Sequence, residues 1–144
     1  MKGVVYAGIL LLAVLLICGC TTVSRESDAA AAVVPGMIGN WTGSVKAYDE
    51  GTGYNDVSGD IMTMRVTGQQ DRIFSGEIIF TNQSGYAWST VFAGAISHDG
   101  KTISMVQRDG GYSTGTLISP DEIELIYMDT TDPFTIGIDS LKKS

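Results

Sequence analysis

Residues 62–80 read Met-Thr-Met-Arg-Val-Thr-Gly-Gln-Gln-Asp-Arg-Ile-Phe-Ser-Gly-Glu-Ile-Ile-Phe, and this stretch decides the fold. Apolar residues take every second position before and after the polar segment 68–71. A period of two predicts two strands, each with one buried face, joined by a hairpin turn. The positions predicted to face inward are Met62, Met64, Val66, Phe74, Gly76, Ile78 and Phe80.

The same alternation continues in both directions along the chain and predicts about eight strands. The other inward positions are predicted to be Trp41, Gly43, Val45 and Ala47; Trp88, Thr90, Phe92, Gly94 and Ile96; Ile103, Met105 and Gln107; Tyr112, Thr114, Thr116 and Ile118; Ile123, Leu125 and Tyr127; and Phe134, Ile136 and Ile138. Turns such as Asp99-Gly100 and Asp109-Gly110-Gly111 are short, so consecutive strands should be antiparallel neighbours. We predict an all-β fold over 37–144, an antiparallel up-and-down meander closed into a barrel without free edges.

The first residues of the chain have the composition of an export leader. Lys2 precedes an apolar run over 4–17, which ends in Cys18-Gly19-Cys20. This junction resembles the lipobox of prokaryotic lipoproteins, and the resemblance implies removal of residues 1–19 and acylation of Cys20. Cys18 fits less well because the bulky Ile17 precedes it.

Two alternatives compete with this interpretation of the leader. An uncleaved membrane helix would need about 20 apolar residues, and an ordinary secretory leader would end in an Ala-x-Ala type site. We interpret 20–36, rich in Ser, Thr and Ala, as a flexible tether between leader and barrel. The expected location is the extracytoplasmic face of the cell membrane, with the protein held by its lipid.

Composition excludes several classes of function. The formal net charge is −7, which disfavours nucleic acid as a partner. Both cysteines lie at the leader boundary, so the mature domain is expected to have no disulfide and no cysteine-based metal site. One histidine and no nucleophile motif leave most hydrolytic chemistry without its parts. We therefore expect a protein that is not an enzyme and uses no cofactor.

Gly39-Asn40-Trp41, followed by Gly43, resembles the Gly-x-Trp opening of the calycin superfamily, the lipocalin and avidin-type barrels. The resemblance implies that Trp41 plugs one end of the barrel and that a ligand enters at the other end. The chain lacks the Thr-Asp-Tyr signature of lipocalins and the late-strand arginine that stacks on the tryptophan. It also resembles short uncharacterised lipoproteins of archaea, a resemblance that brings no activity.

Three sets of residues are candidates for sites. Aromatic residues could line a ligand pocket or fill a packed core, namely Tyr48, Tyr54, Trp88, Phe92, Tyr112 and Tyr127. The long connection 48–60 carries oxygen ligands for weak Ca²⁺ binding, or simply a solvated acidic loop, namely Asp49, Glu50, Asp56 and Asp60. Asn40 and Asn82 begin N-glycosylation sequons.

Three hypotheses about function follow from these observations. The leading hypothesis is a lipid-anchored, non-enzymatic module that contacts another envelope component. The alternative is a calycin-like carrier of a small apolar ligand, whose pocket would open beside the 48–60 connection, at the end of the barrel opposite Trp41. An enzyme is the third and weakest hypothesis.

Overall fold

Eight strands run alternately up and down around one core and close into a barrel. The computed structural model describes residues 33–55 and 59–144. Predictions that concern 1–32, Cys20 among them, lie outside the described residues. The strands are β1 Gly39–Asp49, β2 Gly53–Asn55, β3 Ile61–Gln70, β4 Ile73–Thr81, β5 Ala87–Ile96, β6 Thr102–Gln107, β7 Tyr112–Ser119, β8 Glu122–Asp129 and β9 Thr135–Lys143.

Hydrogen bonds between the first and last strands close the sheet. The barrel order is β1-β3-β4-β5-β6-β7-β8-β9, every pair is antiparallel, and β1 pairs with β9 from Trp41↔Lys143 to Asp49↔Thr135. The predicted eight-stranded antiparallel barrel is therefore confirmed. The additional strand β2 lies within the predicted 48–60 connection and pairs only with the end of β1. Within the described part of the chain, no helix is long and apolar enough to cross a membrane.

One end of the barrel, here called the closed end, is filled by Trp41. The indole is fully buried, and its Nε1 donates a hydrogen bond to the Met37 carbonyl at 2.8 Å. The backbone N–H of Met37 in turn donates to Gln69 Oε1 at 2.7 Å. Val34 packs against the core, and Gln69 Nε2 donates to the Pro35 carbonyl at 2.9 Å. The last residues of the predicted tether therefore lie against the barrel.

Two strands have the opposite orientation to the one predicted. Ser113 and Leu117 of β7 are buried, whereas Thr114, Thr116 and the other residues predicted to face inward there are exposed. In β9 the buried positions are Gly137, Asp139 and Leu141. The residues that were wrongly predicted to face inward are Tyr112, Thr114, Thr116, Ile118, Phe134, Ile136 and Ile138, all of them exposed. The error arose because the outer faces of these strands carry large apolar residues while the inner faces carry Ser, Gly and Asp.

Close approach of neighbouring strands explains two of the strand glycines. A Cβ at Gly43 would lie 1.8 Å from the Ser140 carbonyl oxygen, and a Cβ at Gly76 would lie 1.9 Å from that of Arg65. Both distances are far below van der Waals contact, so only glycine fits. Glycine kinks of this kind let a sheet bend sharply enough to close into a small barrel.

Candidate functional site

The barrel interior is hollow at the end opposite Trp41, here called the open end. A cavity of ≈250 Å³ lies inside the strands there. Its walls are mainly apolar, with a few polar side chains among them. The lining residues are Val45, Ala47, Met62, Phe80, Trp88, Gln107, Tyr127, Thr135, Gly137 and Asp139. The connection between β1 and β3 is at this end, because β1 begins at the closed end and runs toward it.

Two stacked aromatic rings form one side of the cavity. Phe80 and Trp88 are cross-strand partners on β4 and β5, with ring centroids 4.7 Å apart and an interplanar angle of 25°. Trp88 is 46% exposed although it occupies an inward position, because it lies at the rim. Its indole therefore presents a face both to the cavity and to solvent.

Tyr127 forms another part of the wall and is fixed from two directions. Its hydroxyl donates a hydrogen bond to Asp129 Oδ2 at 3.2 Å. Burial, together with the negative charge of Asp129, raises the pKa of Tyr127 to about 12. The turn glycine Gly111 packs against the ring, since a Cβ there would lie 2.6 Å from ring atoms of Tyr127. Tyr127 therefore stays a neutral phenol at physiological pH.

Asp139 places a carboxyl group in this apolar wall. The residue is 2% exposed, and none of the described residues donates a hydrogen bond to its carboxyl. Burial raises its pKa to about 7, because the charged form loses its hydration. Asp139 and Gly137 were missed in the sequence because β9 was assigned the wrong face. The signal that could have revealed this site in the sequence is the aspartate at position 139, once β9 is given the correct inward face.

Two further polar groups are buried in the barrel. Thr90 on β5 and Ser113 on β7 face inward, and their hydroxyls have no hydrogen-bond partner among residues 33–55 and 59–144. Ser113 is the cross-strand partner of Tyr127 and so lies beside the cavity wall. An unpaired buried hydroxyl costs stability. The interior is therefore more polar than packing alone requires.

The six residues predicted to form a ligand pocket are not brought together. Trp88 and Tyr127 line the cavity. Phe92 is buried in the core against Phe74, at a ring distance of 5.9 Å. Tyr112 lies on the outer face of the barrel. The predicted pair Tyr48 and Tyr54 also lies outside the barrel.

Tyr48 and Tyr54 belong instead to an apolar groove on the outer surface. Tyr48 contacts Tyr54 at 5.1 Å and Phe134 at 6.1 Å between ring centroids. Tyr54 is 91% exposed. The groove has a volume of ≈300 Å³ and is lined by Lys46, Ala47, Tyr48, Tyr54, Ile126, Ile136, Gly137 and Ile138. Ile136 and Ile138 are also exposed in this groove, so it presents several apolar side chains to solvent.

The three predicted Ca²⁺ ligands that the structure describes, Asp49, Glu50 and Asp60, do not form a metal site together. Asp49 accepts hydrogen bonds from Asn55 and from Thr135 Oγ1, the latter at 2.6 Å. Glu50 Oε2 accepts from the backbone N–H of Phe134 at 3.3 Å, whereas Asp60 Oδ1 accepts from that of Gln83 at 3.2 Å. Asp56 lies outside the described residues. Among the residues that the structure describes, no group of three or more His, Cys, Asp or Glu side chains could hold a metal ion.

Both predicted sequon asparagines are exposed. Asn40 lies on the outer face of β1, next to the buried Trp41. Asn82 organises the β4–β5 turn, because its Oδ1 accepts hydrogen bonds from the backbone N–H groups of Ser84 at 3.0 Å and Tyr86 at 2.9 Å. Glycosylation of either residue stays a prediction.

A wider groove of ≈520 Å³ runs along the closed end, beside Val33 and Pro35. Of its charged side chains, Lys101 and Asp121 are exposed to solvent, and the half-buried Lys143 already donates a hydrogen bond to the Gly36 carbonyl. It contains no buried polar group that could orient a ligand. The open-end cavity is therefore the stronger candidate site.

Comparison with known proteins supports the fold. No protein family and no curated protein matches the chain. Among solved structures, a redesigned β-barrel is 14% identical, with a TM-score of 0.54 over 77% of this chain and 91% of that chain. The protein EF1p2_mFAP2b bound to DFHBI is 10% identical, with a TM-score of 0.51 over 77% and 94% of the two chains. A de novo designed fluorescence-activating β-barrel is 13% identical, with a TM-score of 0.47 over 74% and 93%.

This chain shares the barrel fold of the first two proteins. At such low identity the likeness extends to the fold alone. Function must therefore be argued from the residues of this chain.

Proposed function

We propose that this protein is a lipid-anchored β-barrel that binds one small, mainly apolar molecule at its open end. The observation that carries the proposal is the cavity of ≈250 Å³ inside the strands. The anchor rests on the resemblance of the sequence around Cys20 to a lipobox. The location that follows from the anchor is the extracytoplasmic face of the cell membrane.

The size and lining of the cavity restrict the ligand. Pockets for drug-sized molecules span about 300–1,000 Å³, so this cavity suits a smaller molecule. Eight-stranded barrels are just wide enough to hold one small ligand. Phe80, Trp88 and Met62 offer apolar contacts, whereas Gln107 and Thr135 offer hydrogen bonds. The proposed ligand therefore has an apolar body and few polar groups.

Binding without catalysis fits the chemistry of the lining residues. In enzymes, a carboxyl group with a raised pKa can serve as a general acid. Asp139 has such a pKa, so catalysis has to be weighed against binding. The only other titratable group in the lining is Tyr127, which is bonded to Asp129 and neutral at physiological pH. Among the described lining residues there is no His, Cys, Ser or Lys, and the Thr135 hydroxyl is bonded to Asp49. The proposed role is therefore carriage or capture of the ligand, without a cofactor.

Native mass spectrometry of the protein extracted from its own membrane tests the proposal. We expect a population with the mass of one small molecule bound per chain. Gly137→Leu should remove this population, because residue 137 lines the cavity and the atom nearest to a Cβ there is 3.5 Å away. The side chain would thus enter the cavity without forcing the strands apart.

Gly36→Leu is the matched control. It adds the same side chain at the closed end, where a Cβ meets no atom within 4 Å. We expect it to keep the ligand. A bound molecule that survives in Gly137→Leu, or no bound molecule in the unmodified protein, would contradict the proposal.

The outer groove supports a second candidate function, contact with another envelope component. Ile136 and Ile138 are 46% and 47% exposed beside Tyr54. A large exposed apolar patch on a protein surface often marks an interaction site. Ile138→Lys should reduce capture of an envelope protein after cross-linking in intact cells. Val106→Lys changes an apolar strand residue on β6 that is even more exposed, at 62%, and should not reduce the capture.

A further inference from the structure

We propose that the ligand of the open-end cavity carries a protonated amine, which pairs with the carboxylate of Asp139. This inference rests on the proposed function and names the chemical class of its ligand. The geometry behind it is a carboxyl group, 2% exposed, in the wall of an open cavity and without a hydrogen-bond donor among the described residues.

The electrostatics of the cavity favour a cation over an anion. None of the lining residues is Lys, Arg or His. A carboxylate in such surroundings is costly unless a partner neutralises it. Burial alone already raises the pKa of Asp139 to about 7, so its ionised and protonated forms coexist near neutral pH. An ammonium group would supply the partner that the described residues do not.

The rest of the cavity fits the body of such a molecule. Phe80 and Trp88 present stacked aromatic faces on the opposite part of the sheet, and aromatic faces attract both apolar groups and ammonium ions. Gln107 and Thr135 could accept further N–H bonds from the amine. An arylalkyl amine therefore satisfies the charged and the apolar parts of the cavity together.

Asp139 is the group that should govern the pH dependence of binding. Its cross-strand partners are Val45 on β1 and Leu125 on β8, neither of which titrates. β3 contributes Met62 to the cavity wall, and Met62 does not titrate. β8 contributes Tyr127, which stays neutral because its pKa is raised to about 12. The rim carboxylates Asp49 and Asp129 already accept hydrogen bonds from Thr135 and Thr131.

Calorimetric titration of the full chain in phosphatidylcholine nanodiscs tests the inference. The probes are 2-phenylethylamine and its neutral counterpart 2-phenylethanol, with empty nanodiscs as a blank. Near pH 8 we expect the amine to bind at least about tenfold more tightly than the alcohol, and this preference should fall about tenfold toward pH 6 as Asp139 protonates. Asp139→Asn should abolish the preference for the amine over the alcohol at both pH values.

Glu124→Gln is the matched control, because Glu124 is an exposed carboxylate on the outer face of β8. It should behave like the unmodified protein. Equal binding of amine and alcohol at both pH values would overturn the amine proposal while leaving the ligand-binding proposal intact. Binding of neither probe would count against both. If Asp139→Asn does not fold, the pH series on the unmodified protein decides alone.

Discussion

Lys143, near the end of the last strand, lies over the indole ring of Trp41, near the start of the first strand. Its Nζ is 4.9 Å from the ring centroid and also donates a hydrogen bond to the Gly36 carbonyl at 2.8 Å. A cation from the last strand thus covers the tryptophan of the first strand. The Lys143 side chain of β9 thus contacts both Trp41 of β1 and Gly36, which precedes β1.

Replacing Trp41 by Ala should cost about 3–5 kcal/mol in the free energy of unfolding, because a fully buried indole leaves a large hole. The neighbouring Asn40→Ala changes an exposed side chain and should cost less than about 0.5 kcal/mol. Urea denaturation of both variants measures the difference. Similar midpoints would mean that Trp41 does not fill the closed end.

Asp139 should make stability depend on pH in an unusual direction for a carboxylate. Its pKa in the folded protein is about 7, above the ordinary 3.8, so the folded state binds more protons between these values. The contribution of Asp139 to the free energy of unfolding should be most favourable below about pH 4 and should be lost as pH rises to 7. At about 1.4 kcal/mol per pKa unit, the full loss is on the order of 4 kcal/mol.

Asp139→Asn should remove this slope. Unfolding free energies measured at intervals across the same pH range would show a flatter profile for the variant. Asp99, whose pKa is lowered to about 2 by hydrogen bonds from Thr102 and Lys101, titrates below this range and does not interfere. Parallel profiles for the two proteins would contradict the assignment.

The two strand glycines Gly43 and Gly137 should respond differently to Ala. Gly43→Ala forces a Cβ to within 1.8 Å of a backbone oxygen and should cost about 3 kcal/mol or more. Gly137→Ala meets no atom closer than 3.5 Å and should be nearly neutral. Thermal denaturation compares them directly, and equal melting temperatures would count against the close strand contact at Gly43.

Thr90→Val should stabilise the protein by about 1 kcal/mol, because it removes a buried hydroxyl without a partner and keeps the shape of the side chain. Thr114→Val makes the same change on the outer face and should stay within about 0.5 kcal/mol of the unmodified protein. Chemical denaturation of both variants is the measurement. A destabilised Thr90→Val would indicate that the hydroxyl is satisfied by solvent in the interior.

Cys20→Ser should prevent acylation and either release the protein from the membrane or leave the leader attached. Several acyl chains together are what make such anchoring stable. Membrane fractionation and intact-mass measurement give the result. Membrane partition and mass that match the unmodified protein would refute the anchor.

The sequence predicted the barrel well because its turns are explicit and most strands have one apolar face. Asp99 shows why the turns are legible: its Oδ1 accepts hydrogen bonds from the backbone N–H groups of Lys101 and Thr102, both at 2.8 Å. The candidate site was predicted only in part. Trp88 and Tyr127 were found, but Asp139 was not, because hydrophobic alternation assigns the larger apolar residues of β9 to the interior.

This failure has a physical cause. An interior that is partly hollow does not need a large side chain at every inward position, and apolar side chains are also common on protein surfaces. Gly137 is an inward position without a side chain, and Ile138 is an apolar residue on the outer face. Hydrophobic alternation therefore predicts the wrong inward face for this strand. Only the pairing of β9 with β1 and β8 fixes which face is which.

Trp41 and its neighbours fill one end of the barrel while the cavity occupies the other, so the packed end and the rim of the cavity are built from different residues. Substitutions at Trp88, Gln107 or Thr135 would alter the cavity without touching the Trp41 cluster. The barrel therefore has a layout in which the rim can change in sequence while the packed end keeps the folded body. A library randomised at the rim should yield a high fraction of folded members.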